Sequence, residues 1–312
     1  VALLGTHPEK VMFCSDDKHP DDLVAGHINL LIKRAMAAGF SPMDAIRACT
    51  LNPAKHYKLN CGLLQPGDAA DMVIIDNLTS FIPIRTYING ELVAEHGKTR
   101  IATGSYGSPN SFHTNRVTPG DLEVAAKPGK IKVIKAFDGD LVTEKILETP
   151  TLHEGKVVSN TEKDILKITV INRYKPSKPA IGFITGFGFN KGAMASTVAH
   201  DSHNLICIGT SDEDMARVIN SLVENKGGIA VTDGHNLDVL PLPVAGLMGN
   251  ADGYEVAAKY EAINHKAQAL GGSLQAPFMT MSFMALLVIP ELKLSDQGLF
   301  DGTKFAFTNL FE

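Results

Sequence analysis

The sequence predicts an α/β protein in which short strands and helices alternate along most of the chain. Near its start, the apolar run at residues 11–14 predicts a buried strand. Apolar residues then recur every three or four positions between residues 22 and 38, which is typical of one amphipathic helix. Beyond residue 130, strand-like runs such as residues 165–172 alternate with helix-like runs such as residues 211–223, which begin at a predicted cap, Ser211. This alternation favours the α/β class.

The composition is that of an ordinary globular protein. The 312 residues are 44% hydrophobic and 20% charged, with a formal net charge of −5. There is no basic surplus, which argues against nucleic acid as a partner. No apolar run reaches membrane-spanning length and no signal peptide is visible, so we expect no membrane role. The cysteines are scattered without a C-x-x-C spacing, which predicts reduced thiols in a cytoplasmic protein.

Polar side chains follow the first apolar run directly. They are Ser15, Asp16, Asp17 and His19. Barrel enzymes and open α/β enzymes place their chemistry at the carboxyl ends of strands. The carboxylates at positions 21 and 22 are placed to cap the predicted helix, whereas Asp16 and Asp17 come too early for that. The pattern leaves three roles open for Asp16: metal ligand, general base or turn residue.

Residues 13–23 resemble the last barrel strand of deaminases in the amidohydrolase superfamily, and most closely the adenine deaminase family. The resemblance implies that residues 1–58 are the last strand and helices of a TIM-like (β/α)8 barrel. It also implies that Asp16 is both a metal ligand and the catalytic residue that handles the protons of the attacking water. The residues that would line the substrate pocket are Ser15, Asp17 and His19. We expect His27, inside the predicted helix, to be an ordinary half-buried histidine.

Two further motifs resemble amidohydrolases beyond the barrel. Residues 50–54 resemble a T-x-N-P-A helix, and residues 62–73 match G-x-(I/L)-x-x-G-x-x-A-D-(I/V/M)-V, with which such chains return to a small β domain. Residues 72–75 predict a strand, and residues 84–94, with an Asn-Gly turn, predict a hairpin. The resemblance therefore implies a small β-sandwich segment and a linker at residues 59–116.

The third predicted domain, residues 117–312, is an α+β domain that resembles the adenine deaminase C-terminal domain. Residues 97–120 before and around its start are rich in Gly, Ser, Thr, Asn and Pro, which is typical of a linker. Within the domain, the glycines at 186, 188 and 192 are spaced somewhat like a phosphate loop. A strand-like run follows them rather than a helix, so we favour a glycine-rich hairpin.

A second polar cluster, residues 200–204, lies between two apolar runs. Its side chains could bind a metal, line a pocket or form a polar turn bonded to backbone. Burying polar side chains between strands costs free energy unless they have hydrogen-bond partners, which favours a functional role for this cluster. The segment resembles an "HDSHN" motif of adenine deaminases, which implies that it closes over the barrel mouth and contacts substrate. The residues implied are His200, Asp201, His203 and Asn204.

The activity that the resemblance implies is hydrolytic deamination of adenine to hypoxanthine and ammonia, a step in purine salvage. It implies a divalent metal, with a binuclear site of Mn²⁺ or Fe²⁺ favoured and Zn²⁺ as another possibility. The superfamily's His-x-His and its two further metal histidines have no counterpart in this sequence. We therefore expect a C-terminal portion that needs the barrel of the same polypeptide for activity, and a homo-oligomer.

Two other interpretations stay open. A different amidohydrolase, similar to dihydroorotase or aminoacylase, would share the motifs at residues 11–95 but would not explain residues 117–312. A C-terminal interaction module without catalysis would need none of the candidate residues to meet a substrate.

Overall fold

The computed structural model describes residues 2–102, 104 and 107–312. The chain divides into two compact units, Val1–Gly104 with Asp252–Ala257, and Ser105–Ala251 with Ala258–Glu312. The described chain contains helices as well as several sheets, so the α/β class is confirmed. Among the described helices, none combines the length and the apolar character needed to cross a bilayer.

Apart from residues 252–257, the described part of the first unit contains five helices and a four-stranded sheet. The helices are α1 (Ala2–Thr6), α2 (Pro20–Ala25), α3 (Ile28–Ala37), α4 (Pro42–Cys49) and α5 (Leu51–Tyr57), with a 3₁₀ turn at Pro8–Lys10. The strands are β1 (Met72–Ile75), β2 (Pro83–Ile88), β3 (Glu91–Glu95) and β4 (Lys98–Thr99), which lie in that order and pair antiparallel. The predicted strand at residues 72–75 and the predicted hairpin are confirmed. Asn89 and Gly90 have φ values of 50° and 82°, as a two-residue hairpin turn requires.

The single helix predicted for residues 22–38 is wrong, because the chain forms α2 and α3 with a break between them. At the break Gly26 has a φ of 153°, and a Cβ there would lie 2.8 Å from the Leu30 side chain. His27 is the N-cap residue of α3 and its backbone N–H donates to Asn29 Oδ1 at 2.9 Å. The carboxylates at positions 21 and 22 lie in the first turn of α2, whose N-cap is His19, so they are not the caps that the sequence predicts.

The strand predicted for residues 11–14 is also wrong. The segment is half-exposed and irregular, and no described strand pairs with it. The backbone N–H of Phe13 donates instead to the Ala48 carbonyl of α4, at 3.0 Å. An apolar run forms a strand only where a neighbouring strand offers matching backbone groups, and the first unit offers none here.

The second unit is built around an eight-stranded sheet with two smaller sheets. Its strands in chain order are β5 (Val124–Ala125), β6 (Ile131–Lys135), β7 (Glu144–Glu148), β8 (Thr151–His153), β9 (Lys156–Val158), β10 (Leu166–Ile171), β11 (Ala180–Thr185), β12 (Ala193–Ser196), β13 (Leu205–Gly209), β14 (Gly228–Thr232), β15 (Leu237–Pro241), β16 (Leu292–Ser295), β17 (Gly298–Asp301) and β18 (Ala306–Phe307). The large sheet has the order β15-β14-β12-β13-β10-β11-β6-β7, in which only β6 and β11 are parallel. The three-stranded sheets are β16-β17-β18 and β5-β9-β8. The helices are α6 (Asp212–Glu224), α7 (Gly253–Gln268), whose residues up to Ala257 are counted with the first unit, and α8 (Pro277–Ser282), with 3₁₀ turns at Pro119–Leu122 and Phe283–Ala285.

Both faces of the large sheet are covered. Helix α6 packs on β12, β13 and β14, while β16 packs on β10 and β11. Every residue of β10 is consequently buried, so its apolar–polar alternation in the sequence does not mark a solvent face. Ser211 caps α6 by accepting the Asp214 backbone N–H at 3.2 Å, as the sequence predicts for this helix.

The glycine-rich run between β11 and β12 is not a hairpin, which corrects the sequence prediction. These two strands are separated in the sheet by β10 and β13, so the run is a crossing connection. The carboxylate of Asp164 accepts the backbone N–H groups of Gly186 at 2.6 Å and Gly188 at 2.7 Å. It also accepts the Thr185 hydroxyl at 3.1 Å. A protein carboxylate thus occupies the donors that a phosphate loop would offer to its ligand.

We expect Asp164→Ala to lower the free energy of unfolding by about 3 kcal/mol, because it leaves three donors without an acceptor. Asp164→Asn should cost less, since its amide oxygen accepts part of the same set and asparagine tolerates the φ of 49° at this position. Urea unfolding measures both. Glu162→Ala, on a neighbouring exposed residue, is the matched control, and a loss no larger for Asp164→Ala than for this control would contradict the prediction.

Candidate functional site

The first predicted cluster lies on the loop that precedes α2. Asp16 is exposed, with a φ of 57°, and its Oδ1 accepts the Asp17 backbone N–H at 3.0 Å. This bond joins neighbouring residues and, with the left-handed backbone at Asp16, it orders the bend of the loop, which agrees with the turn role that the sequence left open. The other carboxylate oxygen, Oδ2, has no hydrogen bond within the described residues. Asp16 can therefore stabilise its own turn and still present an oxygen to a ligand.

His27 contributes to this cluster, which the sequence analysis missed. Its Nε2 lies 2.7 Å from Ser15 Oγ, and Ser15 Oγ also lies 3.2 Å from the Asp16 carbonyl oxygen. If the hydroxyl donates to that carbonyl, the imidazole Nε2–H donates to the hydroxyl. The contact between His27 and Ser15 therefore holds Ser15, the residue directly before Asp16, in place. The break at Gly26 turns His27 towards Ser15, and a continuous helical pattern gives no sign of that break.

His19 is a partly buried imidazole at the start of α2. Burial lowers its pKa below the ordinary 6.5, and the nearby carboxylates of Asp21, Asp22 and Asp17 only partly offset that effect. The neutral form is thus favoured at neutral pH. A neutral imidazole offers one donor and one acceptor, a pairing that suits the edge of a heterocycle.

The second predicted cluster, residues 200–204, joins β12 to β13. Its His200 ring stacks on Phe283, with ring centroids 4.7 Å apart and an angle of 12° between the ring planes. The backbone N–H of His200 donates to the Ser282 carbonyl at 3.0 Å. The His203 ring meets the His200 ring edge-on at 5.4 Å. Asp201 is exposed. The two rings are therefore held in place by neighbouring groups while the carboxylate between them faces solvent.

The sheet register places the end of β10 next to this loop. Because Ile171 pairs with Leu205, the residues after β10 lie beside the start of β13. The Arg173 backbone N–H donates to Asn204 Oδ1 at 3.3 Å, and Asn204 is buried. The Tyr174 hydroxyl donates to the Ser202 carbonyl at 2.8 Å. These two contacts hold the loop from the side, and neither was predicted, because the pairing of β10 with β13 is not visible in the sequence.

The candidate residues fall into two groups by unit. Ser15, Asp16, Asp17 and His19 follow one another in the first unit, and residues 200–204 are in the second. Within the described residues, no three His, Cys, Asp or Glu side chains are grouped so that they could hold a metal ion. An open cleft of about 740 Å³ in the first unit is lined by residues 8–10, Met12 and parts of α4 and α5, and includes none of the candidate residues.

All four cysteines are free thiols, which agrees with the predicted reduced state. Burial raises the pKa of Cys49 to about 11 and raises that of Cys207 well above its ordinary value. Cys14 and Cys61 are exposed. Two of the thiols are thus unsuited to nucleophilic chemistry.

We expect His19 to titrate below pH 6.5 in the folded chain, because burial disfavours its imidazolium form. Its contribution to stability is then complete above the unfolded pKa near 6.5 and is lost as the pH falls through the lower folded value. An NMR titration of the ring protons measures the pKa, with His19→Gln used for assignment. A folded pKa at or above 6.5 would contradict the prediction.

We expect Tyr174→Phe to loosen residues 201–204, since it removes the hydroxyl that donates to Ser202. Amide exchange of a peptide covering these residues should become about fivefold faster, the effect of losing about 1 kcal/mol of local stability. Tyr57→Phe, on an exposed ring of the first unit, is the control and should leave this exchange unchanged. Equal exchange in the wild-type chain and Tyr174→Phe would show that the hydroxyl does not hold the loop.

Comparison with known proteins assigns both halves of the chain. Residues 140–306, more than half of the chain, match the family described as adenine deaminase C-terminal domain, and residues 2–93 match the amidohydrolase family. Proteins named adenine deaminase are similar over nearly the whole chain. That of Methanosarcina mazei is 47% identical over 99% of this chain and 58% of its own length. That of Salinibacter ruber is 44% identical over 100% of this chain and 57% of its own length.

A more distant relative, the adenine deaminase of Borreliella burgdorferi, is 40% identical over 96% of this chain and 55% of its own length. The chain thus spans less than three-fifths of the relatives it matches, and it corresponds to their C-terminal portion. The chain belongs to the adenine deaminase C-terminal domain family, and its earlier part, residues 2–93, matches the amidohydrolase family.

Proposed function

We propose that this chain works as the C-terminal portion of a metal-dependent enzyme that deaminates adenine hydrolytically. The observation that supports this most strongly is similarity to proteins named adenine deaminase over almost the entire chain, at 40–48% identity. A relationship limited to the amidohydrolase part would leave the substrate open. Here the similarity extends through the second unit as well.

The finer architecture belongs to the same proposal. Residues 1–58 would supply the last strand and helices of a (β/α)8 barrel, residues 59–116 a small β domain with a linker, and residues 117–312 the C-terminal α+β domain. In the complete enzyme, the extended segment at residues 11–16 would lie beside other barrel strands. Their backbone groups would supply the partners that it lacks within the first unit.

The residues present fit a metal only in part. Amidohydrolase family members generally use a divalent metal. Asp16 offers one exposed carboxylate oxygen of the kind that Mn²⁺, Fe²⁺ or Zn²⁺ accepts. The remaining ligands would have to come from outside the described residues, so Asp16 would be one ligand of a site, binuclear in our proposal. When bound, such a cation would lower the pKa of the attacking water.

Asp16 would move the protons of the reaction. The oxygen of water forms a bond to C6 of adenine and the bond from C6 to the exocyclic nitrogen breaks. A carboxylate at this position can take a proton from the water and deliver it to the departing nitrogen, which leaves as ammonia. The product is hypoxanthine. The bond from the Asp17 N–H to Asp16 and the contact between Ser15 and His27 would hold this carboxylate at the end of its loop.

The other candidate residues would recognise the purine. Its ring nitrogens need both donors and acceptors, and the neutral imidazole favoured at His19 offers one of each. Ser15 and Asp17 flank Asp16 and would contact the same substrate. In the second unit, His200 and the rest of residues 200–204 would contact the purine or the attacking water.

The alternatives are less well supported. A hydrolase similar to dihydroorotase or aminoacylase would account for residues 2–93 but not for the match at residues 140–306. A non-catalytic module is not favoured by any contact in either cluster.

We expect Asp16→Asn to lower ammonia release from adenine by at least about 100-fold, the typical contribution of a positioned acid–base group. The assay uses the whole gene product that contains this chain, supplied in turn with Mn²⁺, Fe²⁺ and Zn²⁺, and this chain alone should release no ammonia. Asp22→Asn, on an exposed residue in the first turn of α2, is the matched control and should retain activity. Failure of the whole gene product to deaminate adenine with any of the three metals would reject the proposed function.

A further inference from the structure

Arg173 is a buried cation that the proposed deamination does not use. It lies two residues beyond the end of β10 and its side chain is covered almost completely, since the residue is only 3% exposed. A fully buried guanidinium normally pairs with a carboxylate or another anion, because burying an uncompensated charge is costly.

The hydrogen bonds of Arg173 account for only part of its donors. Nη2 donates to the Tyr174 hydroxyl at 3.0 Å, and the guanidinium carbon lies 4.8 Å from the centroid of the Tyr174 ring. Nε and Nη1 are buried and have no acceptor among the described residues. No carboxylate of the described chain lies within ion-pair distance either. Two donor nitrogens therefore lack an acceptor, and no described carboxylate offsets the positive charge.

Other buried or partly buried lysines in this unit show how the chain normally compensates such a charge. Lys167 Nζ donates to Asp212 Oδ1 at 2.5 Å, and Lys145 Nζ lies 3.0 Å from Asp301 Oδ2. Lys293 has only the Leu141 carbonyl, at 2.6 Å, and burial lowers its pKa to about 8, so it can shed its charge. An arginine cannot do the same, because a guanidinium stays protonated in proteins.

The environment of Nη1 is a tight turn. Gly246, with a φ of 68°, lies against Nη1, and a Cβ at Gly246 would collide with that nitrogen. The Gly246 carbonyl accepts the Thr197 hydroxyl at 2.6 Å, so it is already engaged. The Gly246 N–H is buried and donates to no described acceptor. Met248, two residues on, is 57% exposed, so only a surface turn covers the guanidinium.

We propose that Arg173 binds a small oxyanion, a phosphate or a carboxylate, between the 243–248 turn and the 197–204 loop. Nε and Nη1 would donate to the oxyanion, and the guanidinium would supply the compensating charge. The Gly246 N–H, which has no described acceptor, would donate to a third oxygen. Adenine carries no oxyanion, so the ligand is a species other than the proposed substrate.

Binding at Arg173 would also stiffen the loop at residues 200–204. The Arg173 backbone N–H holds Asn204, and its side chain holds the Tyr174 hydroxyl that donates to Ser202. An anion that fixes the guanidinium therefore fixes both supports of the loop.

The test is a titration of this chain with inorganic phosphate and, separately, with acetate, followed by melting temperature and by ¹⁵N NMR of arginine Nε–H groups. At about tenfold excess over Kd, the preferred anion should raise the melting temperature by about 3 °C. It should also shift the Nε–H signal of Arg173. The anion that saturates the response at the lower concentration shows which ligand the site prefers: phosphate indicates a tetrahedral oxyanion and acetate a planar carboxylate. Sodium chloride at matched ionic strength controls for screening.

Arg173→Met should abolish the anion response, whereas Arg116→Met, at an exposed arginine paired with Glu224, should retain it. If Arg173→Met does not fold, the Nε–H signal of the wild-type chain still decides, with Arg173→Lys for assignment. No saturable response to either anion, or an equal response in Arg173→Met, would overturn the proposal.

Discussion

The burial of β10 on both faces is the constraint on which the second unit depends. Every backbone group of this strand must pair within the sheet, and every polar side chain on it must find a partner inside the protein. Lys167 meets this requirement through Asp212, and Thr169 meets it by donating to the Ala180 carbonyl at 2.8 Å. Chemistry that needs solvent or a ligand can lie only where the strands end. The loop at residues 200–204 and Arg173 both lie at such an end.

The pairing of β10 with β13 makes these two features neighbours. Its register places Ile171 opposite Leu205, so the residues after one strand and before the other meet. The Asn204 side chain is already engaged in this contact, since its Oδ1 accepts the Arg173 backbone N–H and the residue is buried. Of the residues proposed to contact substrate in this loop, Asn204 is thus better suited to holding the loop in shape. His200, His203 and the exposed Asp201 are better placed to meet a ligand.

The first unit illustrates a different constraint, the dependence of a strand on its neighbours. Residues 11–14 are apolar enough for a strand, yet they form none, because helices rather than strands lie beside them. The loop that follows is ordered by short-range contacts instead: the bond from the Asp17 N–H to the Asp16 carboxylate and the contact between Ser15 and His27. Such local contacts can preserve the shape of the loop independently of the sheet that it would join in a complete barrel.

The sequence by itself determined the elements whose causes are local. The Asn-Gly turn between β2 and β3, the apolar run of β1 and the Ser211 cap of α6 each depend on a few consecutive residues, and each was predicted. The position of residues 200–204 between two buried strands also followed from the pattern. The motifs of the first unit and of the loop indicated the family to which comparison assigns the chain.

Only the tertiary structure decided the rest, because it depends on groups distant in the sequence. The break at Gly26 brings His27 to Ser15, and helical periodicity continues through it unchanged. The glycines after β11 hold the carboxylate of Asp164 because β11 and β12 are not neighbours in the sheet. The lack of acceptors for Nε and Nη1 of Arg173 depends on where the surrounding groups lie in the folded chain, so the sequence gives no sign of it. Pairing and burial over long separations set these features, and no local pattern encodes them.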